Sequence, residues 1–357
     1  GEAANDNSGI SISLSSDGSR VAIGAYNNDG GGSDSGHVRI YDYNGSAWVQ
    51  VGADIDGEAA DDASGVSISL SSDGSRVAIG AYRNDGNGSN SGHVRIYDYN
   101  GSAWVQVGAD IDGEAAGDYS GYSVSLSSDG SRVAIGANSN DGNGTNSGHV
   151  RIYDYNGSAW AQVGADIDGE AASNYSGWKV SLSPDGSRVA IGANNNDGGG
   201  TNSGHVRIYQ YNNNSWSQLG QDINGEASED RSGYSVSLSS DGSRVAIGAP
   251  DNDGGGTRSG HVRIYQYNNN SWSQLGSDID GEAANDNSGI SISLSSDGSR
   301  VAIGAYANDG GGTNSGHVRI FDYTPSGTSS WTQVGEDING EAANDNSGIS
   351  ISLSSDG

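Results

Sequence analysis

A 56-residue period constrains this chain more than any other feature. The motif Gly-Glu-Ala-Ala/Ser-x-Asp/Asn-x-Ser-Gly begins at Gly1, Gly57, Gly113, Gly169, Gly225 and Gly281, then again at Gly340. The spacing is 56 residues five times and 59 once. A unit copied this often buries its apolar sides only against its siblings, so the repeats form one architecture. Their bounds are 1–56, 57–112, 113–168, 169–224, 225–280 and 281–339, with a partial repeat over 340–357, all read as a single domain. The longer interval comes from Tyr323-Thr-Pro-Ser-Gly-Thr-Ser-Ser-Trp331, where the first copy has Tyr43-Asn-Gly-Ser-Ala-Trp48. An insertion of that kind belongs in a surface turn.

Each copy holds four strand candidates. Ile10-Ser-Ile-Ser-Leu14 alternates apolar and small polar residues, and Ser16-Asp-Gly-Ser19 follows as an Asp-Gly hairpin turn. The second strand is Arg20 to Ala25, and the third, after an Asn/Gly loop, is His37 to Tyr43. Asn44-Gly45 makes another tight turn, and the fourth strand runs from Trp48 to about Ile55. The low apolar fraction of 32% and the 60 glycines would suit disorder, but the apolar residues keep a period of two. No segment has the 3.6-residue period of a helical solenoid. Four antiparallel strands per copy match one blade of a β-propeller; a β-helix is the alternative.

A net charge of −29 and a pI near 4.1 argue against nucleic acid and against an anionic membrane surface, both of which require basic residues. No apolar run reaches the length of a membrane span, so membrane insertion is not expected. The chain shows no starting Met and no signal peptide, and reads as a mature or trimmed product. Without cysteine there are no disulfides and no thiolate metal sites.

Ser120-Gly-Tyr-Ser-Val-Ser-Leu126, Val245-Ala-Ile-Gly-Ala-Pro250 and Gly260-His-Val-Arg-Ile-Tyr265 together resemble the FG-GAP repeat of integrin-α-type propellers. The resemblance covers the whole chain and implies seven blades, with the first strand innermost. Seven first strands are present but only six of each other strand, so the seventh blade is expected to be incomplete. Its missing strands would come from a longer parent chain or from another copy. Residues 340–357 repeat residues 1–18 without a change. Two departures stand out: Ser replaces the first aromatic of the FG pair, and Pro follows Gly-Ala only at Pro250. The Asp-x-Asp-x-Asp-Gly loop that binds calcium in such blades is here the bare turn Ser16-Asp17-Gly18-Ser19, so that site is not carried over.

Strand parity places the loops between strands four and one on the same side as those between strands two and three. Rings of acids follow: Glu2, Glu58, Glu114, Glu170, Glu226, Glu282 and Glu341, with Asp6, Asp62, Asp118, Asp230, Asp286 and Asp345. Asp29, Asp85, Asp141, Asp197, Asp253 and Asp309 lie in glycine-flexed, oxygen-rich loops that suit calcium. The competing reading is that Asn-Asp-Gly only makes turns. His37, His93, His149, His205, His261 and His317 occur once per copy and are expected to pack or bond loops rather than share one ion. Arg20 and Arg39, with their copies, are expected to neutralise the Asp17 and Asp42 equivalents. Trp48, Trp104, Trp160, Trp216, Trp272 and Trp331 either stack on sugars or, by default, cover the outer strand. Trp178 and the sole lysine, Lys179, break the pattern of copy four. Glycan acceptor triplets occur at Asn44, Asn87, Asn100, Asn143, Asn156, Asn174, Asn213 and Asn269.

Near-identical copies supply like groups around a ring, whereas catalysis needs unlike groups with separated pKa values, so no enzyme is expected. The expected role is that of an extracellular or cell-surface structural and adhesion propeller. Its partners would be other copies of itself, as a surface assembly or fibre built by blade completion, or surface proteins and glycans. The alternative is a carbohydrate-binding, lectin-like propeller.

Overall fold

A computed structural model describes residues 1–325 and 330–357. The loop insertion of the sixth repeat lies partly outside the described residues. The chain divides into two compact units, Gly1–Ser187 with Asn212–Trp216, and Arg188–Tyr211 with Ser217–Gly357. Among the described residues all regular structure is β.

The first repeat shows the pattern. Strands β1 (Ser8–Leu14), β2 (Arg20–Ala25), β3 (His37–Tyr43), β4 (Trp48–Gln50) and β5 (Ile55–Asp56) form one sheet in the order β1-β2-β3-β4, with β5 also on β3. All its pairings are antiparallel, with Arg20 opposite Asp42 and Ala25 opposite His37. The expected fourth strand is therefore two short strands on the same neighbour. The break falls at Gly52, whose φ of 76° is open to glycine and turns the chain out of the ladder. The turn between β1 and β2 is fixed by Asp17, whose Oδ1 accepts from the Ser15 hydroxyl at 2.7 Å and the Ser19 amide at 2.9 Å.

Among the described residues six such sheets occur, giving an all-β propeller with six blades rather than seven, each with four strand positions of which the outermost is split in two. The seventh first-strand copy, within 340–357, forms no strand of its own. It still docks where a next repeat would. The Leu353 amide donates to Ser293 Oγ at 3.0 Å, Ser291 Oγ donates to the Gly348 carbonyl at 2.7 Å, and Arg300 Nη1 donates to the Gly357 carbonyl at 2.6 Å.

Within each unit, successive blades are joined by the residues that alternate along the first strand. Its serines face the next blade and cap amides that a sheet edge would leave open. Ile68 and Leu70 donate their amides to Ser11 and Ser13 Oγ, and Leu126 donates to Ser69 Oγ. The apolar positions close the gap. Ala22, Val38, Ile40 and Ile55 of the first repeat pack with Ile68, Leu70, Val77, Ile79 and Tyr97 of the second. In the second unit, Ala190, Val206, Ile208 and Ile223 meet Val236, Leu238, Val245 and Ile247 in the same way. The backbones themselves touch at Gly80, where an added Cβ would lie 2.0 Å from the Gly121 carbonyl oxygen. Only glycine fits so close an approach.

Candidate functional site

Arg20 pairs with Asp42, as expected, but not with Asp17; its third nitrogen reaches the Gly74 carbonyl of the next repeat. In the fourth repeat Arg188 Nε makes the corresponding bond to Gln210 at 2.7 Å. The second arginine turns to other acids. Arg95 lies 3.5 Å from Glu58 Oε1 and donates to the Asp56 carbonyl of the preceding repeat at 2.7 Å.

The tryptophans of the outer strand are structural. Trp104 stacks on Tyr99 at 5.2 Å, and its indole nitrogen donates to the Val51 carbonyl of the preceding repeat at 2.8 Å. Trp160, Trp216, Trp272 and Trp331 make the same bond one repeat back. Trp48, in the first repeat, is 46% exposed whereas Trp272 is 3% exposed.

Asp29, Asp85, Asp141, Asp197, Asp253 and Asp309 each cap their own loop. Each Oδ1 accepts from the amide five residues on, that of Asp34, Asn90, Asn146, Asn202, Arg258 and Asn314 respectively. Asp6, Asp62, Asp118, Asp230 and Asp286 are buried, and each accepts from an asparagine, as Asp62 does from Asn84. Of the glycan acceptor positions, Asn44, Asn100 and Asn156 are exposed and cap the turn after the third strand. Asn213 and Asn269 are exposed at the same turn. Asn87 and Asn143 donate to the Gly113 and Gly169 carbonyls, and Asn174 is buried.

The histidines sit in carboxylate pockets. His93, His149, His261 and His317 are almost wholly buried, and burial followed by a neighbouring arginine pushes each imidazole below its ordinary pKa, keeping it neutral. Each faces the Glu of its own Gly-Glu-Ala motif and an Asp from the end of the repeat, such as Glu58 and Asp110 around His93. Sequence reading missed Asp54, Asp110, Asp166, Asp278 and Asp337 as part of this group. Their fixed place in Gly-x-Asp-Ile-Asp/Asn, once per repeat, was the available signal.

Where the repeats differ, aromatic rings gather. Tyr82 lies 5.6 Å from Tyr119 and 5.5 Å from Tyr122, and Tyr122 lies 4.8 Å from Trp178. The Arg83 guanidinium covers Tyr82 at 5.0 Å. All four rings are partly exposed, and Lys179 follows on the solvent side. Tyr119 and Tyr175 hold φ values of 56° and 54°, a left-handed position that Asn7, Asn287 and Asn346 occupy in other repeats. Asparagine adopts that conformation readily and tyrosine does so at a cost, so the aromatic is not there for the loop's sake.

The FG-GAP repeat profile matches residues 110–153, which hold the third repeat's first three strands. The third repeat is an FG-GAP repeat. No curated relative matches the sequence significantly. Among solved structures, this chain is similar to the Pseudomonas aeruginosa periplasmic gluconolactonase, at 15% identity and a TM-score of 0.62. That match covers 94% of this chain and 85% of the other. A protein named as a 6-phosphogluconolactonase from Bacteroides uniformis matches at 13% identity and a TM-score of 0.60, over 93% and 85%. Hydrazine synthase of Kuenenia stuttgartiensis matches at 14% and 0.61, over 98% and 90%. These likenesses are likenesses of fold. They correct the expectation that a ring of FG-GAP copies rules out catalysis, since propellers of this fold include proteins named as lactonases. The physical reason is that single side chains diverge independently on a repeated frame, as Tyr122, Trp178 and Lys179 do here. Among the described residues no helix is long and apolar enough to cross a membrane.

Proposed function

We propose that this chain is an extracellular adhesion module that grips carbohydrate through the rings of Tyr82, Tyr119, Tyr122 and Trp178. The observation that carries this reading is the gathering of four partly exposed aromatics where the copies diverge, two of them seated on the third repeat's first strand and its approach. Flat rings present apolar faces to the C–H faces of sugars, while Arg83, Lys179 and the phenol hydroxyls supply hydrogen-bond donors. The acidic surface favours neutral or cation-bridged polysaccharides over sulfated ones. Glycan-array screening followed by calorimetry tests it. Trp178→Ala and Tyr122→Ala should each weaken a bound glycan by about tenfold or more. Unchanged affinity in both would overturn the reading.

A second feature supports self-association as part of the adhesive role. Val21, Ile23, Tyr41 and Trp48 line an apolar hollow on the first blade, on the face that Val77, Ile79, Tyr97 and Trp104 bury in the second. The complementary half of that interface is partly open on the sixth blade, beside the docked residues 340–357: Ile338 is 55% exposed and its equivalent Ile55 is 6% exposed. The sixth blade of a second copy, once its residues 340–357 give way to the incoming first strand, is the occupant these surfaces fit, because they are the two halves of a contact already made within the chain. Ile23→Asp should reduce the sedimentation-derived mass at high concentration to that of one chain. A wild-type protein that stays monomeric there would exclude this part of the proposal.

A further inference from the structure

The geometry points to a divalent transition-metal site in the repeats, each built from one imidazole and two carboxylates, for a zinc-class cation. In the sixth repeat His317 is 1% exposed, and its Nδ1 receives no hydrogen bond. That nitrogen is aimed between Glu282 Oε2 at 3.9 Å and Asp337 Oδ2 at 3.7 Å. In the second repeat the corresponding separations are 3.9 Å from His93 Nδ1 to Glu58 Oε2 and 3.8 Å to Asp110 Oδ2. In the fifth, both are 4.0 Å from His261. These gaps are too long for hydrogen bonds. Ligands held about 2.1 Å from a tetrahedral ion stand about 3.4 Å apart, so a small inward movement would close the set.

The other oxygen of each carboxylate is already engaged, which aims the free one inward. Gln106 Nε2 donates to Asp110 Oδ1 at 2.6 Å, and Gln333 Nε2 donates to Asp337 Oδ1 at 2.7 Å. Arg95 Nη1 lies 3.5 Å from Glu58 Oε1, and Arg319 Nη1 lies 3.6 Å from Glu282 Oε1. Ligands oriented by a surrounding layer of hydrogen bonds are a general property of metal centres. In the sixth repeat the imidazole nitrogen that faces the carboxylates has no hydrogen-bond partner to displace, and the half-exposed Glu leaves a path for water to the fourth position. The arginine lowers the net negative charge of each pocket, which favours a strongly bound transition metal over calcium. The first repeat departs from the pattern, because Arg39 Nε sits 3.3 Å from Asp54 Oδ2 and takes the oxygen the ion would need.

The test uses the whole chain, stripped with chelator and titrated with Zn2+ by calorimetry at neutral pH. Micromolar binding of several equivalents is expected, and Glu58→Gln should remove one of them while leaving the metal-free melting temperature in place. Asp110→Asn should remove the same equivalent. Co2+ added to the wild-type chain should give a visible spectrum with nitrogen ligation, a readout that needs no variant. No heat with Zn2+ and no such spectrum would overturn the assignment, as would the full wild-type stoichiometry retained in both variants.

Discussion

Arg76 holds both carboxylate oxygens of Asp98 at once, through Nε at 2.5 Å and Nη2 at 2.7 Å, and places Nη1 2.9 Å from the Gly130 carbonyl of the next repeat. One guanidinium therefore ties the second and third strands of its own blade and the first hairpin of the following one. The flat fork of arginine makes this possible, and lysine offers no equivalent.

Arg76→Lys should accordingly destabilise the chain by about 1–2 kcal/mol, because the bidentate pair and the inter-repeat bond are both lost. Asp98→Gln should cost less, since Arg188 already bonds Gln210 in that arrangement. Urea unfolding of the two variants and their double mutant checks this, with a coupling energy clearly above zero as the expected sign.

Gly80→Ala should be among the most damaging single changes. The methyl group would meet the Gly121 carbonyl oxygen across the blade interface and the Ser67 hydroxyl beside it, and the backbone contact has nothing flexible to yield. A loss of about 3 kcal/mol or more is expected, read as a lower denaturation midpoint. Gly45→Ala, where no atom lies within 4 Å of the added Cβ, should cost less and only through its φ of 92°.

Trp104→Phe should keep the ring packed on Tyr99 but lose the indole bond to Val51, at a cost of about 1 kcal/mol. Glycan affinity should be unaffected, in contrast to Trp178→Ala. Calorimetry on both variants separates a tryptophan that joins blades from one that meets a ligand.

Acid should loosen the first hairpin turn in a defined window. Hydrogen bonds from the Ser19 amide and from the Ser15 and Ser19 hydroxyls push the Asp17 carboxyl down to about 2. A carboxylate with a depressed folded-state pKa binds fewer protons than in the unfolded chain. Its contribution is therefore complete above the ordinary value near 4 and is lost as pH falls towards 2. Melting temperature should drop over that interval, and the drop should be smaller in Asp17→Asn. Equal slopes in the two proteins would show that the turn does not contribute.

The period, the hairpins and the strand types were legible in the sequence because they depend on local chemistry. Asp17-Gly18 makes its turn from its own side chain and glycine's freedom, and Arg20–Ala25 alternates wherever it is placed. The sequence showed a seventh blade lacking three strands, but not that its remaining copy is no strand at all: residues 340–357 copy β1 and its flanks letter for letter, yet form no strand. Strand identity there depends on a neighbour to complete the ladder, which no composition records.

The candidate sites divide in the same way. The sequence by itself determined that every repeat carries one His, a Gly-Glu-Ala motif and a Gly-x-Asp-Ile run, and that the third, fourth and fifth copies put Tyr122, Trp178 and Tyr234 where the others have Ile or Val. Tertiary structure alone decided that Glu58, His93 and Asp110, spread over more than fifty residues, meet in one pocket, and that Tyr82 reaches Tyr119 and Tyr122. Distances between residues far apart in the chain are set by how the sheets twist and stack, and the packing of Val77 and Ile79 against their neighbours fixes that for all of them at once.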